Sequence, residues 1–165
     1  MFLNIEIAHK LVFYILFLFL FAATTVFIER LLYFLFTFPT EKKLIKKEVE
    51  KQDEITAEVL YHSYAGKTER GKGVLMFVIT ASPLMGLLGT VLGIMNSFST
   101  MAERGVSDIA AVSKGIAFAL EATALGIIVS VISLFYYYAV NGLSKKAKEE
   151  LKRAVLEAIK LRGED

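Results

Sequence analysis

Cysteine is absent from this 165-residue chain. That removes disulfides, thiolate metal sites, iron–sulfur clusters and cysteine nucleophiles together. Histidine occurs twice, at His9 and His62, too far apart in sequence to suggest a zinc enzyme. A charge excess is missing as well. Nineteen Lys and Arg nearly cancel seventeen Asp and Glu, and the net +2 gives no basic footprint for nucleic acid. Charged residues make up only 22% of the chain and hydrophobic ones 55%, with mean hydropathy +0.54. An ordinary globular domain averages about 45–50% apolar. The balance fits an integral membrane protein with polar extensions, and it points away from enzymes, metals and cofactors.

What is present is apolar length. Residues 11–38 (interrupted by Glu29 and Arg30), 74–98 and 114–143 (interrupted by Lys114 at its border and Glu121) are nearly free of charge. Each exceeds the roughly 20 residues a helix needs to cross a hydrocarbon core of about 30 Å. Lipid offers no partner to a backbone amide, and no alternating short-strand pattern suggests a barrel, so three transmembrane helices are expected. The first run is too long for the usual secretory h-region of about 7–15 residues. The expected fold is an all-α, three-span membrane protein. Residues 39–73 form an amphipathic helical segment, 99–113 a loop and 144–165 a helical tail, with spans two and three extended beyond the membrane.

Lysine and arginine orient it. Lys42, Lys43, Lys46, Lys47, Lys51, Lys67, Arg70 and Lys72 follow span one, and seven more lie in the tail from Lys145 to Arg162. The loop between spans two and three has Arg104 and the bordering Lys114, and the N-terminus only Lys10. By the positive-inside rule the middle segment and the C-terminus are cytoplasmic, and the N-terminus and the 99–113 loop lie outside. Glu29 and Arg30 then fall about 27 Å along the first helix, at the cytoplasmic headgroups, where they read as an interfacial anchor. Leu44, Ile45, Val49, Ile55, Val59 and Leu60 approximate one apolar face, and Leu143, Ala147, Leu151, Val155, Ala158 and Ile159 another. Mutual packing of these faces is expected. The run 66–73 (GKTERGKG) has the spacing of a phosphate-binding loop, but it lacks the Ser or Thr after its second lysine and a preceding strand. It reads as a flexible turn.

Small residues mark one face of each later span. Ser82, Gly86, Gly89, Thr90, Gly93 and Ser97 share a stripe at about 100° per residue, as do Ala119, Thr123, Gly126, Ser130 and Ser133. Gly86, Gly89, Gly93, Ala119 and Gly126 are therefore helix-packing candidates, because small faces let helices approach in lipid. Thr90 lies eight residues before Phe98 and Thr123 eight after Gly115, so an antiparallel hairpin puts the two hydroxyls at one depth. Spacing alone leaves two readings open: a polar ring on an ion path, or hydroxyls bonded to their own helices. Glu121 is the single ionisable group well inside a span. It lies about 200° around the helix from Thr123, and it reads equally as a proton relay or as an acid at a helix or subunit interface.

The run 81–95 (ASPLMGLLGTVLGIM) with Phe98, and the run 114–126 (KGIAFALEATALG), resemble the two span signatures of the MotA/TolQ/ExbB proton channel family. Three spans with an outside N-terminus are similar to its ExbB and TolQ branches rather than to the four-span flagellar stator. The resemblance implies a homo-oligomeric, pentameric bundle in the bacterial inner membrane, with spans two and three lining a lumen. It implies a single-span ExbD- or TolR-like partner bearing a membrane aspartate, and a TonB- or TolA-like protein beyond it. Thr90 and Thr123 match the family's lumen threonines. Proton motive force would be converted into work on the envelope, ExbB-like in TonB-dependent transport or TolQ-like in envelope maintenance. A proton-coupled small-molecule transporter using Glu121 is the rival reading. The chain departs from the family pattern in three places: Phe118 stands where many members carry the third-span acid, Ile132 where a proline is common, and Ser82 where alanine is usual.

Overall fold

A computed structural model describes residues 5–49, 54–104 and 109–162, and the described residues are helical apart from one turn. Helix α1 runs Ile5–Leu32, a π-helical turn covers Tyr33–Thr37, and α2 covers Phe38–Val49. Helix α3 spans Glu54–Thr68, α4 Lys72–Arg104 and α5 Ile109–Arg162. Among the described residues, three helical stretches are long and apolar enough to cross a membrane, at Ile7–Val49, Ile55–Ala102 and Val112–Lys160. The described residues thus form an all-α fold, and the chain is a multi-pass membrane protein.

Two boundaries differ from the sequence expectation. Pro39 does not end the first helix. Proline has no amide to give the carbonyl four residues back. The turn before it is wound wider, and the Phe38 amide donates to the carbonyl of Tyr33, five residues earlier. Helix therefore continues from α1 into α2. The expected loop at 99–113 is also mostly helical, since α4 persists to Arg104 and α5 begins at Ile109; residues 105–108 lie outside the described set. At the other end α4 starts at Lys72, whereas α5 runs on past 143 to Arg162.

The chain divides into two compact units. The first comprises Met1–Thr24 and Val74–Phe135. Val12, Leu16 and Ala122 are its buried centre, with Phe13, Met85, Leu92 and Leu125 packed around them. The opposite faces of its helices present Phe17, Phe21, Leu84, Leu87, Val91 and Ile127 outward. An apolar surface of that extent would be a liability in water and is the surface expected against lipid or another membrane helix.

The second unit comprises Thr25–Gly73 and Tyr136–Asp165. Ile45 and Val49 of α2, Ala57 of α3, and Ala147, Leu151, Val155 and Ala158 of α5 form one core with Phe38. The tail face expected from sequence packs here. The middle segment does not present a single face. Leu44, Ile55 and Val59 are exposed, because α2 and α3 are separate helices with independent phases.

Arg30 is the second correction in this unit. It is 4% exposed rather than an interfacial anchor. Its Nη1 donates to the carbonyl of Lys67 at 3.0 Å and its Nη2 to Glu29 at 2.7 Å. It thereby gives a second, shorter hydrogen bond to a carbonyl in the last turn of α3 that also accepts the Arg70 amide at 3.4 Å. The run 66–73 holds the end of α3, a turn at 69–71 and the start of α4. Gly66 and Lys67 belong to α3, and the amides of Glu69 and Arg70 donate to the carbonyls of Gly66 and Lys67. Gly71 then turns the chain at φ +81°, a conformation that suits glycine.

Candidate functional site

Helices α4 and α5 of the first unit meet along the two small-residue stripes. A methyl group placed on Gly86 would lie 2.8 Å from the carbonyl oxygen of Ala122, and one on Gly126 2.5 Å from that of Ser82. One on Gly89 would lie 2.6 Å from Cβ of Ala122, and one on Gly93 2.5 Å from Cβ of Ala119. These separations are below ordinary carbon contact, so the seam requires glycine at all four positions. Gly86, Gly89, Gly93 and Gly126 thus sit at the helix–helix contact together with Ala119, which is fully buried.

The proline in α4 is accommodated across the same seam. Pro83 lacks the amide that would serve the carbonyl of Ile79. Ser130 of α5 donates its hydroxyl to that carbonyl at 2.7 Å. Freed backbone groups in apolar helices are satisfied by this kind of side-chain bond.

Thr90 and Thr123 come together about two turns further along, seven residues from Pro83 and Ser130 respectively. Their Oγ atoms are in direct hydrogen-bond contact. Thr123 Oγ1 also lies 3.1 Å from the carbonyl of Gly86, and Thr90 Oγ1 lies 3.1 Å from that of Ala119 and 3.3 Å from that of Gly86. Two hydroxyl protons thus serve several acceptors. The pair has more acceptor capacity than donors, and it can exchange partners without moving a helix. Both side chains are half-buried in the single chain. The hydroxyls do bond to backbone, yet across the seam as well as within their own helix.

Glu121 is elsewhere. It is exposed on the surface of the single chain, away from the Thr90–Thr123 pair, on the apolar side of α5 that carries Ile128. Thr90 and Thr123 are brought together by the fold; Glu121 is not brought to them. Among the described residues no cluster of His, Asp and Glu is arranged to hold a metal ion.

The pairing of Ser130 with the Ile79 carbonyl is not among the sequence expectations. Its signal was available: a serine on the facing stripe, with a proline four residues beyond its acceptor.

Comparison with known proteins bears on this hairpin. A model described as the MotA/TolQ/ExbB proton channel family matches residues 35–153. The chain is 41% identical over 78 residues to the biopolymer transport protein ExbB of Aquifex aeolicus, covering 47% of this chain and 51% of that protein. It is 44% identical over 68 residues to the protein of the same name from Salmonella typhimurium, covering 41% and 28%. It is 42% identical over 71 residues to the Tol-Pal system protein TolQ of Pseudomonas aeruginosa, covering 43% and 31%. The matches thus span about half or less of the length of these curated relatives.

Proposed function

The chain belongs to the MotA/TolQ/ExbB proton channel family, and from that premise we propose that it is the channel-forming subunit of a proton-driven motor in a bacterial inner membrane. Several copies, five in our reading, surround an axis lined by α4 and α5. The chain performs no covalent chemistry. Thr90 and Thr123 hydrogen-bond the path. The acid that titrates comes from a partner, a single-span protein of the ExbD or TolR kind. The N-terminus faces the periplasm, and the lysine-rich α2, α3 and the end of α5 face the cytoplasm, as the distribution of Lys and Arg favours.

One observation carries this reading: the Thr90–Thr123 contact, which sets two hydroxyls with surplus acceptor capacity at one level of a glycine-lined seam. Such a pair is suited to passing a proton between a mobile acid and water, since each oxygen can accept while its hydrogen changes partner. Glu121, outside that pair, is assigned to a boundary between copies. There a polar partner on a neighbouring copy can meet it, because an unpaired charge in the bilayer is costly. The names of the relatives favour an ExbB-like role in biopolymer transport. The TolQ match supports a Tol-type role as the second reading.

The test is the double variant Thr90→Val with Thr123→Val. Valine keeps the shape and removes both hydroxyls. The oligomer is expected to assemble with unchanged mass in detergent, while partner-dependent proton flux in vesicles is lost. Full flux in the double variant would overturn the pathway assignment.

A further inference from the structure

Histidine 9 is the most buried polar side chain of α1 in the first unit, at 3% exposure. Its Nε2 has no hydrogen-bond partner among the described residues. An unsatisfied buried donor or acceptor costs about 1–3 kcal/mol, so an unpartnered imidazole nitrogen calls for a ligand. The ring is held from two sides, with its centroid 5.3 Å from that of Phe13 and 4.8 Å from that of Phe118. It borders a cavity of about 260 Å³ near the α4–α5 connection, which is also lined by Lys10, Asn96, Ser97 and Gly115.

Two glycines keep this space open. A methyl group on Gly93 would lie 3.2 Å from His9 Nε2. One on Gly115 would collide with the hydroxyl of Ser97. Ser97 spends its proton on the carbonyl of Gly93 at 3.0 Å, which leaves its oxygen facing as an acceptor. A buried water needs two to four polar partners and a few tens of Å³. His9 Nε2 and the Ser97 oxygen are two such partners, Asn96 is a further polar residue of the lining, and the volume has room for several molecules.

We propose that this cavity is a hydrated proton-binding site, with His9 as the group that takes up the proton and ordered water as its second ligand. The charged groups around it are Lys10 on its own helix and Glu121 on α5, whose carboxylate is within electrostatic reach of the imidazole; α4 contributes Asn96 and Ser97. Protonation turns Nε2 from acceptor to donor, and water is the partner that can serve both forms. The flanking Phe13 and Phe118 rings offer their faces or edges to either state. The site is distinct from the Thr90–Thr123 pair and stands whether or not that pair conducts.

The intact chain, labelled with ¹⁵N-histidine in lipid nanodiscs, tests this. The sequence contains only His9 and His62, so His62→Gln assigns the spectrum. The His9 ring is expected to pass from its neutral to its protonated form as the pH is lowered to 5, and to receive magnetisation from water. In Ser97→Val, which removes the oxygen acceptor and narrows the cavity, the water transfer is expected to fall several-fold while His9 remains buried. A His9 ring that keeps one neutral form from pH 5 to 9, or that receives nothing from water, overturns the proposal. Retention of the His9 titration in the Thr90→Val, Thr123→Val background separates this site from the pathway reading.

Discussion

Ser130 stands in for the amide that Pro83 lacks. The carbonyl of Ile79, four residues before the proline, takes its hydrogen bond from a hydroxyl on the neighbouring helix at 2.7 Å. A feature that would weaken an isolated helix thereby becomes a tie between two helices, and it fixes the depth of α5 against α4. The Thr90–Thr123 contact lies along the same seam.

This relation predicts strong coupling between the two positions. Ser130→Ala alone should destabilise the detergent-solubilised chain by about 1–3 kcal/mol, since a buried carbonyl loses its partner. In a Pro83→Ala background an amide returns to Ile79, and the same serine substitution should cost less than half as much. Reversible unfolding of the four variants gives the double-mutant cycle. Strictly additive costs would show that Ser130 does not serve the proline's carbonyl.

Glycines in this chain sort into two groups by what surrounds them. Gly126→Ala pushes a methyl group against the Ser82 carbonyl at 2.5 Å, and Gly86→Ala pushes one against the Ala122 carbonyl at 2.8 Å; neither backbone atom can yield. Both substitutions should lower the melting temperature and separate the Thr90 and Thr123 hydroxyls. Gly142 of α5 has no atom within 4 Å of its would-be methyl. Gly142→Ala should therefore stabilise, by about 1 kcal/mol from helix propensity alone. Thermal unfolding in a single detergent would check both signs.

Much of this seam was legible in the residues. Thr90 and Thr123 sit eight positions from matching ends of two apolar runs, and an antiparallel hairpin of straight helices converts equal spacing into equal depth. The stripe of Gly86, Gly89, Gly93, Ala119 and Gly126 follows from a 100° period. The continuation of helix through Pro39 was not legible, because a π turn absorbs the missing amide and leaves no mark on hydrophobic periodicity. Arg30 was misread for a related reason. Position along the first helix suggested a headgroup, but its destination is set by a carbonyl 37 residues away in sequence. A seven-residue spacing connects His9, Leu16, Ala23 and Arg30, all buried. That stripe marks both polar members as packed residues and was the signal available for them.

The Arg30 side chain predicts a local effect around the turn after α3. Its guanidinium reaches the Lys67 carbonyl and Glu29 at once, and its stem lies against Gly71. Lysine carries one compact charge and cannot reproduce that fork. Arg30→Lys and Arg30→Ala should both speed amide exchange at Arg70 and Lys72 by tenfold or more, with exchange in the middle of α4 unchanged. Protection equal to the parent in Arg30→Lys would show that charge alone suffices.

Glu69, in that turn, predicts how the second unit responds to acid. Burial pushes its carboxyl up, but hydrogen bonds and charge from Lys148 and Lys72 outweigh this and hold it at about 2, against an ordinary value of 4.5. Lys148 lies 2.5 Å and Lys72 2.8 Å away. A carboxylate depressed in the folded state contributes stability that is complete above its unfolded value and is lost as pH falls through its folded one. The stability advantage of the parent over Glu69→Gln should therefore be flat above about pH 5 and should shrink between 4.5 and 2. Because Glu69 is 43% exposed, added salt should reduce the advantage at neutral pH. Melting curves of both proteins across this range decide it: an advantage that persists unchanged at pH 2 would mean that the two lysines do not hold the carboxylate in its charged form.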